Sequence, residues 1–414
     1  MGETIHIDDL SDPRLTEAQA GVVAATPEPA LTLDAVLDAA RDATGLTDFG
    51  AEDFRDRLRV WLQSVREDEG LSALGRAGMF GDCVRYAATR LRFEDLWRNA
   101  PRIADIVIDR PIMVAGLPRS GTTHLVNMLS EDPRLRSVPL WESMEPMPVP
   151  GEPADARRAR CEAMWGGFEA LLPLMPAMHE MAPDHTHEDI DLHGVDFSSY
   201  LPEWLCRAKS WRDYYADADQ TPHYRYAKRM LQALTHLKGP NRWVVKSPPH
   251  MENLPALFAV HPDAIVPITH RDPVAVLQSA VTMIAYGDRI RRTKIDPPAL
   301  LEYWADRIEM LLRRCVRDRD AVPAGQTLDI YFHEYMADQE RVVREVYAMA
   351  ELPFRKDDEA RLDAFLKANR RGAKGKVEYD LIGQFGADID ALRKRFAFYY
   401  DRFPVKLERV KGEA

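Results

Sequence analysis

The chain has 414 residues, 46% of them apolar and 29% charged, a balance that excludes a disordered or collagen-like polymer and allows one large α/β domain or two average ones. A formal net charge of −11 argues against a general binder of nucleic acid or of anionic membranes, which such a chain repels on average. Cys83, Cys161, Cys206 and Cys315 are far apart and form no CxxC pair, so neither a disulfide framework nor a thiolate zinc site is expected.

Residues 1–30 are polar and proline-containing and read as an extended or weakly ordered lead-in. They open with neither a basic stretch nor an apolar run, and no later stretch reaches the roughly 18 uninterrupted apolar residues of a membrane span, so a cytoplasmic protein with reduced thiols is expected. Segments 33–40, 54–62 and 83–91 repeat apolar residues at three- and four-residue spacing, which predicts a helical N-terminal region over residues 1–100, packed on the remainder.

At Pro111 the period changes. Ile112-Met-Val-Ala-Gly is a short continuous apolar run, as expected of a strand buried on both faces. Trp243-Val-Val-Lys, Ala264-Ile-Val-Pro-Ile-Thr and Thr327-Leu-Asp-Ile-Tyr-Phe are further strand candidates. Residues 155–240 read as a helical, irregular insertion within a domain spanning 101–414. Strands alternating with helices predict an α/β fold, P-loop-like, with a mainly parallel sheet flanked by helices and ligands beyond the carboxyl ends of its strands.

The segment Gly116-Leu-Pro-Arg-Ser-Gly-Thr-Thr sits between a predicted strand and a predicted helix. Such a turn points backbone N–H groups and a helix N-terminus at one spot, a site for phosphate oxygens. Gly116 and Gly121 have Walker A spacing, yet Thr122-Thr123 stands where that motif needs Lys-Ser/Thr, and Arg119 supplies the cation from inside the loop. In this form the loop resembles the 5′-phosphosulfate loop of the sulfotransferases that use 3′-phosphoadenosine-5′-phosphosulfate (PAPS), in particular the bacterial branch with Pro-Arg-Ser-Gly-Thr-Thr. The resemblance implies that Arg119, Ser120, Gly121, Thr122 and Thr123 hold the phosphosulfate of PAPS, a co-substrate whose transfer needs no metal.

A second match follows at His270-Arg-Asp-Pro-Val-Ala-Val-Leu-Gln-Ser. The family pattern implies that Arg271 and Ser279 hold the 3′-phosphate, and an arginine fork with a hydroxyl beside it suits a phosphate dianion. Trp243-Val-Val-Lys-Ser-Pro-Pro-His resembles the family's Lys-Ser-Pro-x-His element, which implies that Lys246 neutralises the departing oxygen while His250 takes the acceptor proton. Glu142, in Pro139-Leu-Trp-Glu, is a second candidate base. The segment Asn369-Arg-Arg-Gly-Ala-Lys-Gly-Lys-Val-Glu-Tyr resembles the family's basic closing segment and adds Arg371 and Lys374 as 3′-phosphate ligands. The activity implied is transfer of a sulfuryl group to a hydroxyl or amine of a small-molecule or lipid-like acceptor.

Two other readings of the loop stay open: a divergent P-loop kinase, needing Mg²⁺ and an acidic ligand such as Asp272, and a nucleotide-binding protein without catalysis. The cluster His185-Thr-His-Glu-Asp-Ile-Asp-Leu-His invites a metal reading, but Asp191 stands where HExxH needs its second histidine, and a polar lid or acceptor-site segment is expected instead. Trp165, Phe168, Phe197, Tyr200 and Trp204 could form an apolar acceptor wall or ordinary core.

Overall fold

The computed structural model describes residues 4–239, 241–370 and 375–413. Five strands, β2 (Ile112–Gly116), β3 (Leu135–Arg136), β4 (Arg242–Lys246), β5 (Val266–His270) and β6 (Thr327–Tyr331), form one parallel sheet in the order β3-β4-β2-β5-β6. Every residue of β2 and of β5 is buried, as the continuous apolar runs require of central strands covered on both faces.

The two-residue period of β2 divides its side chains between two cores. Ile112 and Val114 join Leu125, Val126 and Leu129 of the helix Thr122–Ser130 and Val342, Val343 and Val346 of the helix Gln339–Met349. Met113 and Ala115 face a larger cluster that takes in Val276 and Val281 of the helix Pro273–Arg291 and Trp304 and Ile308 of the helix Pro297–Asp318. Each such aliphatic side chain contributes about 1.5–3 kcal/mol on leaving water, so the strand is pinned in register from both sides.

The N-terminal helices Leu33–Thr44, Phe54–Glu67 and Ala73–Asn99 lie where the apolar spacing predicts them, and Leu37, Trp61 and Tyr86 enter the same larger cluster as the sheet. The lead-in differs from expectation. A helix, Glu17–Ala25, starts at a capping box in which Thr16 Oγ1 accepts from the Gln19 amide and Gln19 Oε1 accepts from the Thr16 amide, and Gln19 Nε2 donates to the Leu171 carbonyl at 2.6 Å. Upstream, β1 (Thr4–Ile5) pairs in parallel with β7 (Lys376–Val377). That pairing and the Leu171 contact are long-range, so local pattern carried no sign of them. The two-residue β3 is likewise too short to show a period.

Residues 156–238 form the helices Ala156–Leu171, Met175–Met178, Ile190–Val195, Leu201–Leu205, Lys209–Asp217 and Thr221–Lys238 with irregular joints.

Candidate functional site

The carboxyl end of β2 turns into the helix Thr122–Ser130 through three positive-φ residues: Gly116 at 145°, Arg119 at 64° and Gly121 at 91°. Glycine at 116 is enforced by crowding, because a Cβ there would lie 2.1 Å from Thr269 Oγ1 on β5. Ser120 Oγ then bridges to Thr269 Oγ1 at 2.6 Å, which ties the loop to the neighbouring strand. Arg119 is no glycine, so its left-handed backbone costs on the order of 1–3 kcal/mol, strain of the kind that collects at functional sites.

That strained loop meets the start of the helix Pro273–Arg291. Arg119 Nε donates to Ser279 Oγ at 3.0 Å, and Arg271 Nη1 donates to the Arg119 carbonyl at 2.5 Å. Arg119, Arg271 and Ser279 thus converge from two strand ends. Ser279 also donates to Tyr379 Oη at 3.1 Å, at the end of the segment singled out as a closing element. Arg371 and Lys374 of that segment lie outside the described residues. Burial lowers the pKa of Arg119, Tyr379 opposes this, and the neighbouring Arg271 adds to it. His179 records the same crowding of positive charge: burial first, then Arg119 and Lys246, hold its imidazole well below the ordinary range.

β4 delivers Lys246 beside the loop, where its Nζ donates to Thr123 Oγ1 at 3.0 Å and to Glu188 Oε1 at 2.6 Å. His250 follows in a short 3-10 turn, Pro248–Glu252, and is fully buried. Its Nε2 lies 3.1 Å from Asp189 Oδ2 and its Nδ1 2.8 Å from Tyr224 Oη. The Asp189 amide donates to the Lys246 carbonyl at 3.0 Å, so the acidic pair is stitched to the strand end. The His185-to-His193 segment therefore supplies carboxylate partners to both predicted reactive residues. Its last acid, Asp191, instead binds Arg85, Tyr86 and Ser143 at 2.9, 2.6 and 2.7 Å, anchoring the segment to the N-terminal helices.

Glu142 lies among other partners. It is 1% exposed, and its carboxylate sits 3.0 Å from Arg136 Nη2 and 2.7 Å from Nζ of the exposed Lys238, an ion triad that includes neither the loop nor Lys246. Asp272, the acid a kinase reading would recruit, has both oxygens engaged: Oδ1 accepts from the Val274 amide and Tyr400 hydroxyl, Oδ2 from the Glu408 amide. Among the aromatic candidates, Phe197 and Tyr200 are core, and Trp204 packs on Trp304 with ring centroids 4.3 Å apart. Trp165 and Phe168 pack edge to face and stay partly exposed.

One group among the described residues could hold a metal ion: Asp189, His193 and His250, with donor atoms within 4.8 Å of one another. No spacing rule finds it, because His250 arrives from a different element. Burial, opposed by Asp189 and reinforced by His250, holds His193 neutral with its pKa lowered to about 4.

The sequence matches the model of the sulfotransferase family over residues 111–356. The structure is similar to that of sulfotransferase STF9 from Mycobacterium avium, with a TM-score of 0.81, 26% identity, and coverage of 92% of this chain and 99% of that one. It is also similar to sulfotransferase STF1 from Mycobacterium tuberculosis H37Rv, with a TM-score of 0.77, 27% identity, and coverage of 89% and 98%. No curated protein sequence matches the chain.

Proposed function

The chain belongs to the sulfotransferase family, and we propose that it moves a sulfuryl group from PAPS to the hydroxyl or amine of a small-molecule acceptor by in-line displacement. The observation that carries this reading is the convergence of Arg119, Arg271 and Ser279 beside the Lys246–Thr123 contact. These groups suit two anionic ends of one ligand: the loop from Arg119 to Thr123 takes the phosphosulfate, and Arg271 with Ser279 takes the 3′-phosphate. Arg371 and Lys374 are assigned to that phosphate by resemblance alone.

As the acceptor oxygen bonds to sulfur, the bond from sulfur to the bridging phosphate oxygen breaks and charge grows on that oxygen. Lys246, Arg119 and the loop amides stabilise it, Lys246 being drawn from its pair with Glu188. His250 takes the acceptor proton. It is favoured over Glu142 because Glu142 is held by two cations of its own, whereas His250 follows the strand that carries Lys246.

Calorimetric titration with 3′,5′-adenosine diphosphate, with and without Mg²⁺ and beside ATP, tests the reading. Metal-independent binding that is lost in Arg271→Ala supports it. Binding of ATP with Mg²⁺ and none of the bisphosphate transfers the chain's chemistry to phosphoryl groups.

A further inference from the structure

We propose that Tyr224, His250 and Asp189 form a proton relay in which Asp189 is a positioning residue that fixes the tautomer of His250 and Tyr224 is the hydroxyl through which the acceptor proton enters. The inference rests on His250 being the base named above.

An acceptor-only carboxylate facing Nε2 at 3.1 Å requires that nitrogen to carry the ring proton, which leaves the lone pair on Nδ1. The atom facing Nδ1 is the Tyr224 hydroxyl oxygen at 2.8 Å, so the phenol donates to the imidazole. Both imidazole nitrogens are therefore engaged, and the ring is fully buried. Tyr224 is itself buried, and in the proposed relay its hydroxyl is the step through which a proton reaches Nδ1.

Asp189 is built for the other end. Burial pushes its carboxyl up, but the hydrogen bond from His250 and the nearby Lys246 cation more than offset this, and the group is held below the usual range. Its Oδ1 is buried with no hydrogen-bond partner among the described residues, a costly arrangement that leaves negative charge uncommitted beside the ring. Its backbone amide is bound to the Lys246 carbonyl at 3.0 Å, so its position is set by the same strand end that carries the leaving-group lysine.

The step balances. The acceptor oxygen forms its bond to sulfur and passes its proton to the Tyr224 oxygen, Tyr224 passes its own proton to Nδ1, and the sulfur–oxygen bond pair leaves with the phosphate. Tyr224 ends neutral, and the new imidazolium lies against the Asp189 carboxylate.

The test is steady-state kinetics with PAPS and a turned-over acceptor, together with 3′,5′-adenosine diphosphate affinity and melting temperature, on His250→Gln, Asp189→Asn, Asp189→Glu and Tyr224→Phe. His250→Gln reports on the base itself: wild-type kcat in that variant ends the His250 reading, and the relay with it. With His250→Gln inactive, the relay requires that Asp189→Asn lower kcat on the order of 10²-fold with donor affinity unchanged, that Asp189→Glu restore part of it, and that Tyr224→Phe lower kcat about tenfold or more in a protein that melts normally. Wild-type kcat in Asp189→Asn or Tyr224→Phe, or parallel loss of kcat and donor affinity, overturns the relay. Stoichiometric zinc or iron in the purified protein, lost in His193→Ala, also overturns it, since a cation on Asp189, His193 and His250 would take the nitrogen that the relay assigns to Asp189.

Discussion

Arg271 gives two N–H groups to the two oxygens of Glu408, Nε at 2.6 Å and Nη2 at 2.7 Å, the fork geometry with which an arginine takes a phosphate. The guanidinium also stacks on Phe332, with its carbon 4.1 Å from the ring centroid. Glu408 is one third exposed and its own amide is tied to Asp272, so the carboxylate can turn away while the backbone stays. If Arg271 serves the 3′-phosphate, Glu408 competes for it. Replacing Glu408→Gln should tighten 3′,5′-adenosine diphosphate binding about three- to tenfold, the equivalent of about 0.7–1.4 kcal/mol for a partly exposed pair. Calorimetry decides: unchanged or weaker binding means that the tail supports the site instead of competing for it.

Lys246, the last residue of β4, is likewise paired with a carboxylate, Glu188, at 2.6 Å. In the proposed mechanism Lys246, which touches Thr123 of the loop, meets the charge that grows on the leaving oxygen. Lys246→Met should lower kcat about 10²- to 10³-fold with a much smaller change in donor affinity, read from kinetics and titration in parallel. A loss confined to donor affinity would make it a ground-state binding residue.

The loop was readable because its turn is local: Gly116, Arg119 and Gly121 are near neighbours in sequence, and the turn they form depends on their own backbones. The strands were readable because central parallel strands are continuously apolar, as β2 and β5 are. The carboxylates facing the candidate site residues were not assignable from the sequence. Glu188 and Asp189 stood out only as a metal-like cluster, and their partners Lys246 and His250 lie 58 and 61 residues away. Glu408, 137 residues from Arg271, sits in a tail with no motif at all. Glu142 is a carboxylate whose own burial, and whose pairing with Arg136 and Lys238, local reading does not show.

Acid should destabilise the fold before its carboxylates are titrated. Burial, with Lys228 adding to it, lowers the His261 pKa to about 3, and His193 is lowered to about 4. In both cases the folded state holds the neutral ring more firmly than the unfolded chain does, so their contribution is complete above the unfolded pKa near 6.5 and is lost as pH falls toward the folded value. Between about pH 6.5 and 4 each such histidine adds up to about 1.4 kcal/mol of stability per pH unit gained. Urea melts at pH 7.5, 6 and 5 should show the decline, and His261→Gln should flatten it. An equal slope in that variant would place the proton uptake elsewhere.

The buried charge behind the site makes a prediction about stability alone. Arg307 is 1% exposed and bridges two carboxylates from different elements, Glu203 through Nε at 2.9 Å and Glu252 through Nη2 and Nη1 at 2.6 and 2.8 Å. Glu252 ends the turn that holds His250, so the network braces that turn after β4. A buried carboxylate without its cation is costly, and Arg307→Met strands two of them. The variant should lose about 3–5 kcal/mol of unfolding free energy at pH 7.5, and the deficit should shrink at pH 5 as the orphaned carboxyls take up protons. Replacing all three residues, Arg307→Met with Glu203→Gln and Glu252→Gln, should recover much of that loss, because no net charge is then left in the core. A triple variant as unstable as the single one would show that the network acts through its shape and packing, not through charge compensation.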